Sequence, residues 1–299
     1  MVKENRMASR LKRLRKRQPT SAWAKNYKPG TRATRSEAPS ISRPTIIYEK
    51  NKIGRQLHAM SLTERDALLV ALRNKNVIDI NEQRVLHPFE GPHPLMGHPH
   101  AAGMQMKNLM GMVNAYDELG ETKRYPIITV KNKNSEKVKV PNLMEGDLLL
   151  YLKDDAGMYC VNWTVKANET QFERKKLGGS PELDTKQDRQ RAAVRHAAEE
   201  LYYKKSEIPT YRVTDNTFDA IYLANLRRSF LWRARIEDKH TQYIEKAVHL
   251  LNSVLDGHDP LNELGQYFCN KNRIQDYDWK IIMHCSGQVI LATVLYSTQ

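Results

Sequence analysis

Three ionisable residues are predicted to lie where a helix and two strands begin or end. Glu64 falls in the first turn of a helix, Asp147 near the start of a strand, and Lys166 at the end of the next strand. Hydrolysis of a phosphodiester requires a divalent ion that polarises the phosphate and activates water. Mg²⁺ prefers carboxylate oxygens and keeps several waters, so one or two acidic residues suffice, and a lysine can stabilise the developing charge. These residue types predict a Mg²⁺ site, with Mn²⁺ as the substitute ion.

Each of the three residues also has a purely structural interpretation. The S-x-x-E sequence at 61–64 is a capping box, in which Glu64 accepts a backbone hydrogen bond at the start of the helix. Glu64 also shares a helical stripe with Leu68 and Ala71, which predicts a carboxylate that points inward. The aspartate is equally compatible with a turn before its strand, and the lysine with a solvated strand end. Position alone therefore leaves both interpretations open.

The segment EGDLLLYLKDDAGMYCVNWTVKA, residues 145–167, predicts the strand pair that carries Asp147 and Lys166. Two runs of strand-forming residues flank the polar DDAG turn. The second run alternates with a period of two, which places Asn162, Thr164 and Lys166 on one face. Adjacent strands would bring Asp147 close to that face.

Helices and strands follow one another through the rest of the central region, which predicts an α/β domain. Ser61 is the predicted N-cap of the first helix, and the second helix places Ala193, Ala197 and Leu201 on one stripe. The predicted elements are helices at 61–75 and 188–205 and strands at 77–80, in the two halves of 125–141, and at 208–215.

Four histidines lie in a segment over residues 86–125 that is rich in proline, glycine and methionine. They do not share a helical face and no cysteine accompanies them, so zinc is disfavoured. The segment is predicted to be a long surface insertion. The histidines are His87, His93, His98 and His100.

The formal charge of +14 is concentrated at the N-terminus. Residues 1–36 contain twelve lysines and arginines against Glu4 alone, a net charge of +11 that leaves +3 for the rest. Four prolines and the lack of periodicity predict that residues 1–45 form a largely extended arm. Its cations predict binding to DNA phosphates, with a solubilising tail as the alternative. The DNA-binding candidates are Arg10, Lys12, Arg13, Arg15, Lys16 and Arg17.

Three regions are predicted: the basic arm at 1–45, the α/β domain at 46–215, and a helical or winged-helix domain at 216–299 that ends in a hairpin-like segment. No apolar run is long enough to predict a membrane span, and no secretory signal is recognised. Three scattered cysteines argue against a disulfide framework. The sequence therefore predicts a cytoplasmic protein, and its charge predicts association with the bacterial nucleoid.

Several segments together resemble the TnsA family, the endonuclease subunits of heteromeric transposases. GRQLHAMSLTERDALLVALRNKNVIDINEQRVLHP resembles the start of the family's catalytic domain, through its GR…H…S-x-x-E entry and its V-x-DI-x-EQ strand. EGDLLLYLKD is similar to the family's aspartate strand, CVNWTVKA to its x-V-K strand, and EELYYKKSEIPTYRVTD to its helix and IP strand. The resemblance covers roughly residues 46–232.

The resemblance implies the restriction-endonuclease-like PD-(D/E)XK fold. By position, Glu64 and Asp147 would be metal ligands, Lys166 the catalytic lysine, and Glu199 a supporting residue or a solvated helix charge. Thr164 stands where the family usually has glutamine, and its hydroxyl is a poorer metal ligand than an amide or carboxylate oxygen. Thr164 is therefore expected to be a weak third ligand, or to be replaced by backbone carbonyls and water.

The leading hypothesis is a subunit that cuts the 5′ strands at transposon ends. Its implied partners are transposon-end DNA, a DDE-type transposase and an AAA+ ATPase regulator. The departure at Thr164 supports an alternative, a DNA-binding adaptor that bridges transposase and regulator without cutting. A third hypothesis is a nuclease that acts without partners.

Overall fold

The computed structural model describes residues 2–18, 21–49, 52–131, 134–173, 185–233, 235–255 and 261–283. The chain divides into two units, Met1–Phe218 and Asp219–Gln299, close to the predicted boundary at residue 216. Residues 1–45 belong to the first unit. Each unit is described by itself below.

A four-stranded mixed sheet forms the centre of the first unit and makes it an α/β structure. Its strands are β3 (Val77–Leu86), β6 (Met144–Asp154), β7 (Gly157–Val165) and β8 (Thr210–Val213), in that order across the sheet. β3, β6 and β7 are antiparallel neighbours, whereas β8 runs parallel to β7. The predicted hairpin is confirmed, with Asp154 paired to Gly157 at its turn and Leu148 paired to Trp163.

Two smaller antiparallel sheets accompany the central sheet. One pairs β1 (Thr45–Glu49) with β2 (Arg55–Ala59), and the other pairs β4 (Ile127–Lys131) with β5 (Lys137–Pro141). β4 and β5 are the two strands predicted over 125–141. Residues 132 and 133, in the connection between them, lie outside the described residues.

Two predicted helices are confirmed, α2 (Leu62–Arg73) and α4 (Lys186–Lys204). The buried face of α4 differs from the prediction, because it carries Ala192, His196, Glu199 and Tyr203. Two of these buried side chains, His196 and Glu199, are polar, so a pattern of apolar residues does not identify this face. The predicted stripe through Ala193, Ala197 and Leu201 is therefore wrong by about one position.

The histidine-rich segment is part of the core, and the prediction of a surface insertion is wrong. It contains α3 (Met112–Glu118), and Leu95, Leu109 and Met112 are buried with side chains of β6, β7 and α4. Gly111 precedes α3 with a φ of +84°, and a Cβ there would lie 2.5 Å from the backbone of Phe89. This contact fixes where the segment turns into the helix.

The N-terminal prediction of a largely extended arm is also wrong. Val2–Arg17 forms a helix, α1, whose Leu11 and Leu14 are buried against Ile128 of β4 and Val85 of β3. The apolar residues are few, but they lie three apart and therefore share one helical face. Packing of that face stabilises a helix that its dense positive charge would otherwise disfavour.

The second unit is helical. It contains α5 (Ala220–Arg233), α6 (Asp238–Leu255) and α7 (Leu261–Asn272), and residues 276–283 are also helical. Ala247, Phe268, Trp279 and Ile282 form its buried cluster. The first residues of the predicted terminal hairpin, 279–283, are helical, so this part of the prediction is wrong; the rest of it falls on residues 284–299, outside the described residues, and the winged-helix prediction remains a prediction. Within the described part of the chain, no helix is both long and apolar enough to cross a membrane.

Candidate active site

Glu64, Asp147 and Lys166 line one cleft of about 1370 Å³ in the first unit. α2 supplies Glu64 from its first turn, β6 supplies Asp147, and Lys166 immediately follows β7. The structure therefore brings the three predicted residues together. The β6–β7 hairpin brings Asp147 and Lys166 together, and the packing of α2 brings Glu64 into the same cleft.

Glu64 combines the two roles that sequence alone left open. The Ser61 hydroxyl accepts a hydrogen bond from Glu64 N at 3.1 Å, as an N-cap does, and Glu64 Oε2 accepts one from Met60 N at 2.8 Å. Yet the residue is only 6% exposed and lines the cleft. The cap thus fixes the carboxylate in an inward position.

Asp147 is held by Lys166 and by the backbone of β7. Its Oδ2 accepts hydrogen bonds from Lys166 Nζ at 2.8 Å and from Val165 N at 2.7 Å. The ammonium group also donates to the carbonyl oxygen of Val165 at 2.8 Å. Both ionic side chains are mostly shielded from solvent, so this ion pair is stronger than a typical surface pair.

Gln83 belongs to the same constellation, although it was not among the predicted site residues. It lies between the pairs Glu82–Leu148 and Arg84–Gly146 of the β3–β6 ladder, and its Nε2 donates to Glu64 Oε2 at 3.1 Å. Its φ is +50°, a conformation that non-glycine residues rarely adopt and that often marks a functional position. The EQ pair at the end of the V-x-DI-x-EQ segment was the sequence feature that could have identified Gln83 as a site residue.

The glutamate of that EQ pair has a structural role. Glu82 is fully buried and accepts two hydrogen bonds from Arg55, at 2.7 and 2.8 Å. Arg55 belongs to the GR sequence at the start of β2, and it also donates to the carbonyl oxygen of Ile80. The GR sequence of β2 and the EQ sequence of β3 are thus joined by the ion pair between Arg55 and Glu82.

The pKa values of the two carboxyl groups, Glu64 and Asp147, are shifted in opposite directions. Burial raises the pKa of Glu64, and the negative charge of Asp147 raises it further. Burial alone would also raise the pKa of Asp147, but the charge and hydrogen bond of Lys166 outweigh burial and lower it. Asp147 is therefore the ionised member, and a nearby cation would favour ionisation of Glu64.

These residues fit a divalent ion that retains most of its water. No group of three or more His, Cys, Asp or Glu side chains suited to a metal occurs among the described residues. Mg²⁺ does not require such a cage, because one or two carboxylates plus substrate oxygens and water complete its shell.

Thr164 is not placed as the third ligand that was expected. Its hydroxyl donates to Glu199 Oε1 at 3.3 Å, it is 4% exposed, and it is absent from the residues that line the cleft. The β7 residue thus positions Glu199. Glu199 is 2% exposed, so the alternative of a solvated helix charge is wrong, and the supporting role stays a prediction. Burial, and then the charge of Asp147, raises the pKa of Glu199.

His196 and Arg195 line the cleft from α4 and were missed by the sequence analysis. Burial and the charge of Lys166 lower the pKa of His196 to about 3, so its imidazole is neutral at pH 7. Arg195 donates to the carbonyl oxygen of Glu145 at 3.1 Å. Placing the buried stripe of α4 one position earlier would have found the histidine.

The six DNA-binding candidates of α1 fall into two groups. Arg10 pairs with Glu145, while Arg13 and Arg17 pair with Glu37 at 3.7 and 2.6 Å. These three arginines hold α1 on the first unit. The other three candidates, which are exposed, are Lys12, Arg15 and Lys16.

A comparison with protein-family models and with curated protein sequences found no match to this chain.

Proposed function

We propose that this chain is a Mg²⁺-dependent DNA endonuclease with a PD-(D/E)XK-type active site. The observation that carries the proposal is the meeting of Glu64, Asp147 and Lys166 in one cleft, with Lys166 paired to Asp147. Paired acids and a lysine are the side chains that metal-dependent hydrolysis of a phosphodiester requires.

Glu64 and Asp147 would hold the ion, which supplies Lewis acidity and activated water when bound. Met60 N and Gln83 Nε2 both donate to one oxygen of Glu64, which fixes the orientation of that carboxylate. Lys166 lies beside Asp147, and its positive charge would stabilise the negative charge that the attacked phosphate gains.

The cleft also carries basic side chains that would contact a polyanionic substrate, although Arg10 pairs with Glu145 and Arg124 pairs with Glu121 in the same cleft. The cleft is lined by cations from α1, from the segment before β4, and from α4. Phosphate contacts of this kind position DNA without reading its sequence. These cations are Arg10, Lys123, Arg124, Arg191 and Arg195.

The biological setting of the proposal comes from the resemblance to TnsA proteins. In that setting the chain cuts the 5′ strands at transposon ends, together with a DDE-type transposase and an AAA+ regulator. The proteins would act in the cytoplasm on nucleoid DNA. Its support is the sequence, in which the S-x-x-E, V-x-DI-x-EQ, aspartate-strand and V-K segments occur in the family's order.

A second candidate function is a DNA-binding adaptor that does not cut. The position of Thr164 favours it, because the threonine hydroxyl bonds to Glu199 and Thr164 does not line the cleft, so that only Glu64 and Asp147 of the three predicted metal ligands do. Such an adaptor would retain the basic surface and the partner contacts.

The deciding experiment reconstitutes the chain with transposase and regulator and follows 5′-strand cleavage of end-containing DNA in Mg²⁺ or Mn²⁺. Asp147→Ala is expected to lower the cleavage rate at least about 100-fold. Asp155→Ala is the matched control, because Asp155 is exposed at the distant turn of the same hairpin. Cleavage that persists in Asp147→Ala refutes the active-site assignment. Strand transfer without any 5′ cleavage by the unmodified chain favours the adaptor, and cleavage without partners favours a stand-alone nuclease.

A further inference from the structure

The β4–β5 hairpin has two chemically different faces. Ile128 is paired with Val140, and both pack with Val130 against Leu11 and Leu14 of α1. Side chains alternate between the faces of a strand, and paired residues share a face. The next positions along each strand therefore point away from α1.

The outer face of the hairpin carries Lys131, Lys137 and Lys139, and all three are exposed. Lys131 is paired directly with Lys137. Like charges at directly opposed positions destabilise a strand pair. Between residues 127 and 141 the sequence has four lysines and a single acidic residue. This concentration of charge is unfavourable in the isolated chain and becomes favourable when a polyanion binds.

The base of the hairpin forms part of the wall of the cleft. Tyr125, Pro126, Asn142 and Leu143 all line the cleft, and Asn142 N donates to the carbonyl oxygen of Pro126 at 2.9 Å. A strand of five residues spans about 17 Å. Duplex DNA advances about 17 Å in five base pairs and carries one phosphate charge per 1.7 Å of its axis. The outer lysines thus lie on the middle and far end of the hairpin, within about 17 Å of its base at the cleft, which is a distance that five base pairs of duplex would span.

We propose that the outer face of the β4–β5 hairpin binds the phosphates of duplex DNA that flanks the scissile bond. This contact is separate from the exposed cations of α1 and rests on the proposed nuclease function. The hairpin and α1 share one apolar interface, so the two basic elements are fixed relative to each other. Duplex DNA is favoured over an acidic protein because Lys123 adds positive charge to the same wall of the cleft.

The test compares the full-length chain with a triple variant, Lys131→Gln, Lys137→Gln and Lys139→Gln. Binding to a fluorescein-labelled DNA duplex is measured by anisotropy at several salt concentrations. Loss of three phosphate contacts lowers the slope of log affinity against log salt by about 2.7. The affinity advantage of the unmodified chain then shrinks roughly 40-fold between about 50 and 200 mM salt.

The control variant changes Lys107, Lys153 and Lys204 to glutamine, because these lysines are exposed and do not line the cleft. It removes the same charge and is expected to keep a slope within about one unit of the unmodified chain. Thermal unfolding checks that the hairpin variant folds, and relief of the Lys131–Lys137 repulsion predicts that it is at least as stable.

Each outcome decides one proposal. Equal salt slopes for the hairpin and control variants overturn the hairpin proposal, even if the complex still cuts DNA. Unchanged DNA binding with lost binding to transposase or regulator also overturns it and assigns the face to an acidic protein. A reduced slope in a chain that never cuts supports the hairpin proposal while the nuclease function fails.

Discussion

Replacement of Gln18 by methionine tests whether the N-terminal segment is an integral part of the first unit. Gln18 follows α1 directly and is 7% exposed. Its Nε2 donates to Tyr27 Oη at 3.0 Å, to Lys28 O at 3.0 Å and to Gln83 O at 3.3 Å. Its Oε1 accepts a hydrogen bond from Val85 N at 2.9 Å. Methionine matches the length of glutamine but can form none of these strong hydrogen bonds.

The expected loss of stability follows from what each partner retains. Val85 is 2% exposed, and its N–H is left without this acceptor, which costs about 1–3 kcal/mol. The carbonyl of Gln83 still accepts from Gly30 N at 3.0 Å, and Tyr27 Oη still donates to Glu82 O at 2.7 Å. The lost bonds to these groups therefore add only about 1 kcal/mol. A total of about 3 kcal/mol lowers the urea midpoint by about 1 M.

The assay is urea unfolding of the full chain, combined with amide hydrogen exchange at Val85. The Gln18→Met variant is expected to unfold at lower urea and to exchange this amide faster. Gln190→Met is the control, because Gln190 is exposed on α4 and its replacement changes stability by at most about 0.5 kcal/mol. Equal midpoints and equal exchange in the two variants would show that the N-terminal segment is a detached arm and that the packing described for α1 is wrong.

Three further predictions address packing, pH and reactivity. Gly111→Ala is expected to destabilise the chain by at least about 2 kcal/mol in chemical denaturation, because it combines a positive φ with a backbone clash. Gly103→Ala, at a φ of +81° with open space around it, should cost only about 1 kcal/mol. The hydrogen bond from Arg17 lowers the pKa of Glu37 to about 2, so its stabilisation is complete above pH 4.5 and is lost as the pH falls towards 2. Glu37→Gln should remove about 1 kcal/mol of that acid dependence after allowance for solvent screening. Burial raises the pKa of Cys160 to about 12, so thiol reagents should label it only after unfolding, as peptide mass spectrometry would show.

Elements with strong local signals were predictable from the sequence. The β6–β7 hairpin follows from strict alternation around a polar turn, and the start of α2 follows from the Ser61 cap. Both signals are confined to short stretches of sequence. The same local patterns predicted that Asp147 lies next to Lys166, because the start of the first strand of an antiparallel hairpin lies beside the end of the second.

The remaining elements depend on contacts between distant residues. α1 was mistaken for an extended arm because Leu11 and Leu14 are outnumbered by cations, and their packing partners lie far along the chain. The inward face of α4 was missed because His196 and Glu199 occupy it. Burial of such polar groups is favourable only when partners such as Asn162 and Thr164 are in place, which a helical pattern does not reveal.

The position of β3 explains why the N-terminal segment and the candidate site are connected. β3 is an edge strand of the central sheet, and an uncovered edge exposes unpaired backbone groups. Gln18 and Gly30 cover this edge by bonding to Val85 N and Gln83 O, at the place where the backbone of Gln83 has a left-handed conformation. A Cβ on Gly30 would lie 2.9 Å from Gln83 O, so this close approach requires glycine. The segment that carries the exposed cations Lys12, Arg15 and Lys16 therefore also holds the strand whose Gln83 donates a hydrogen bond to Glu64.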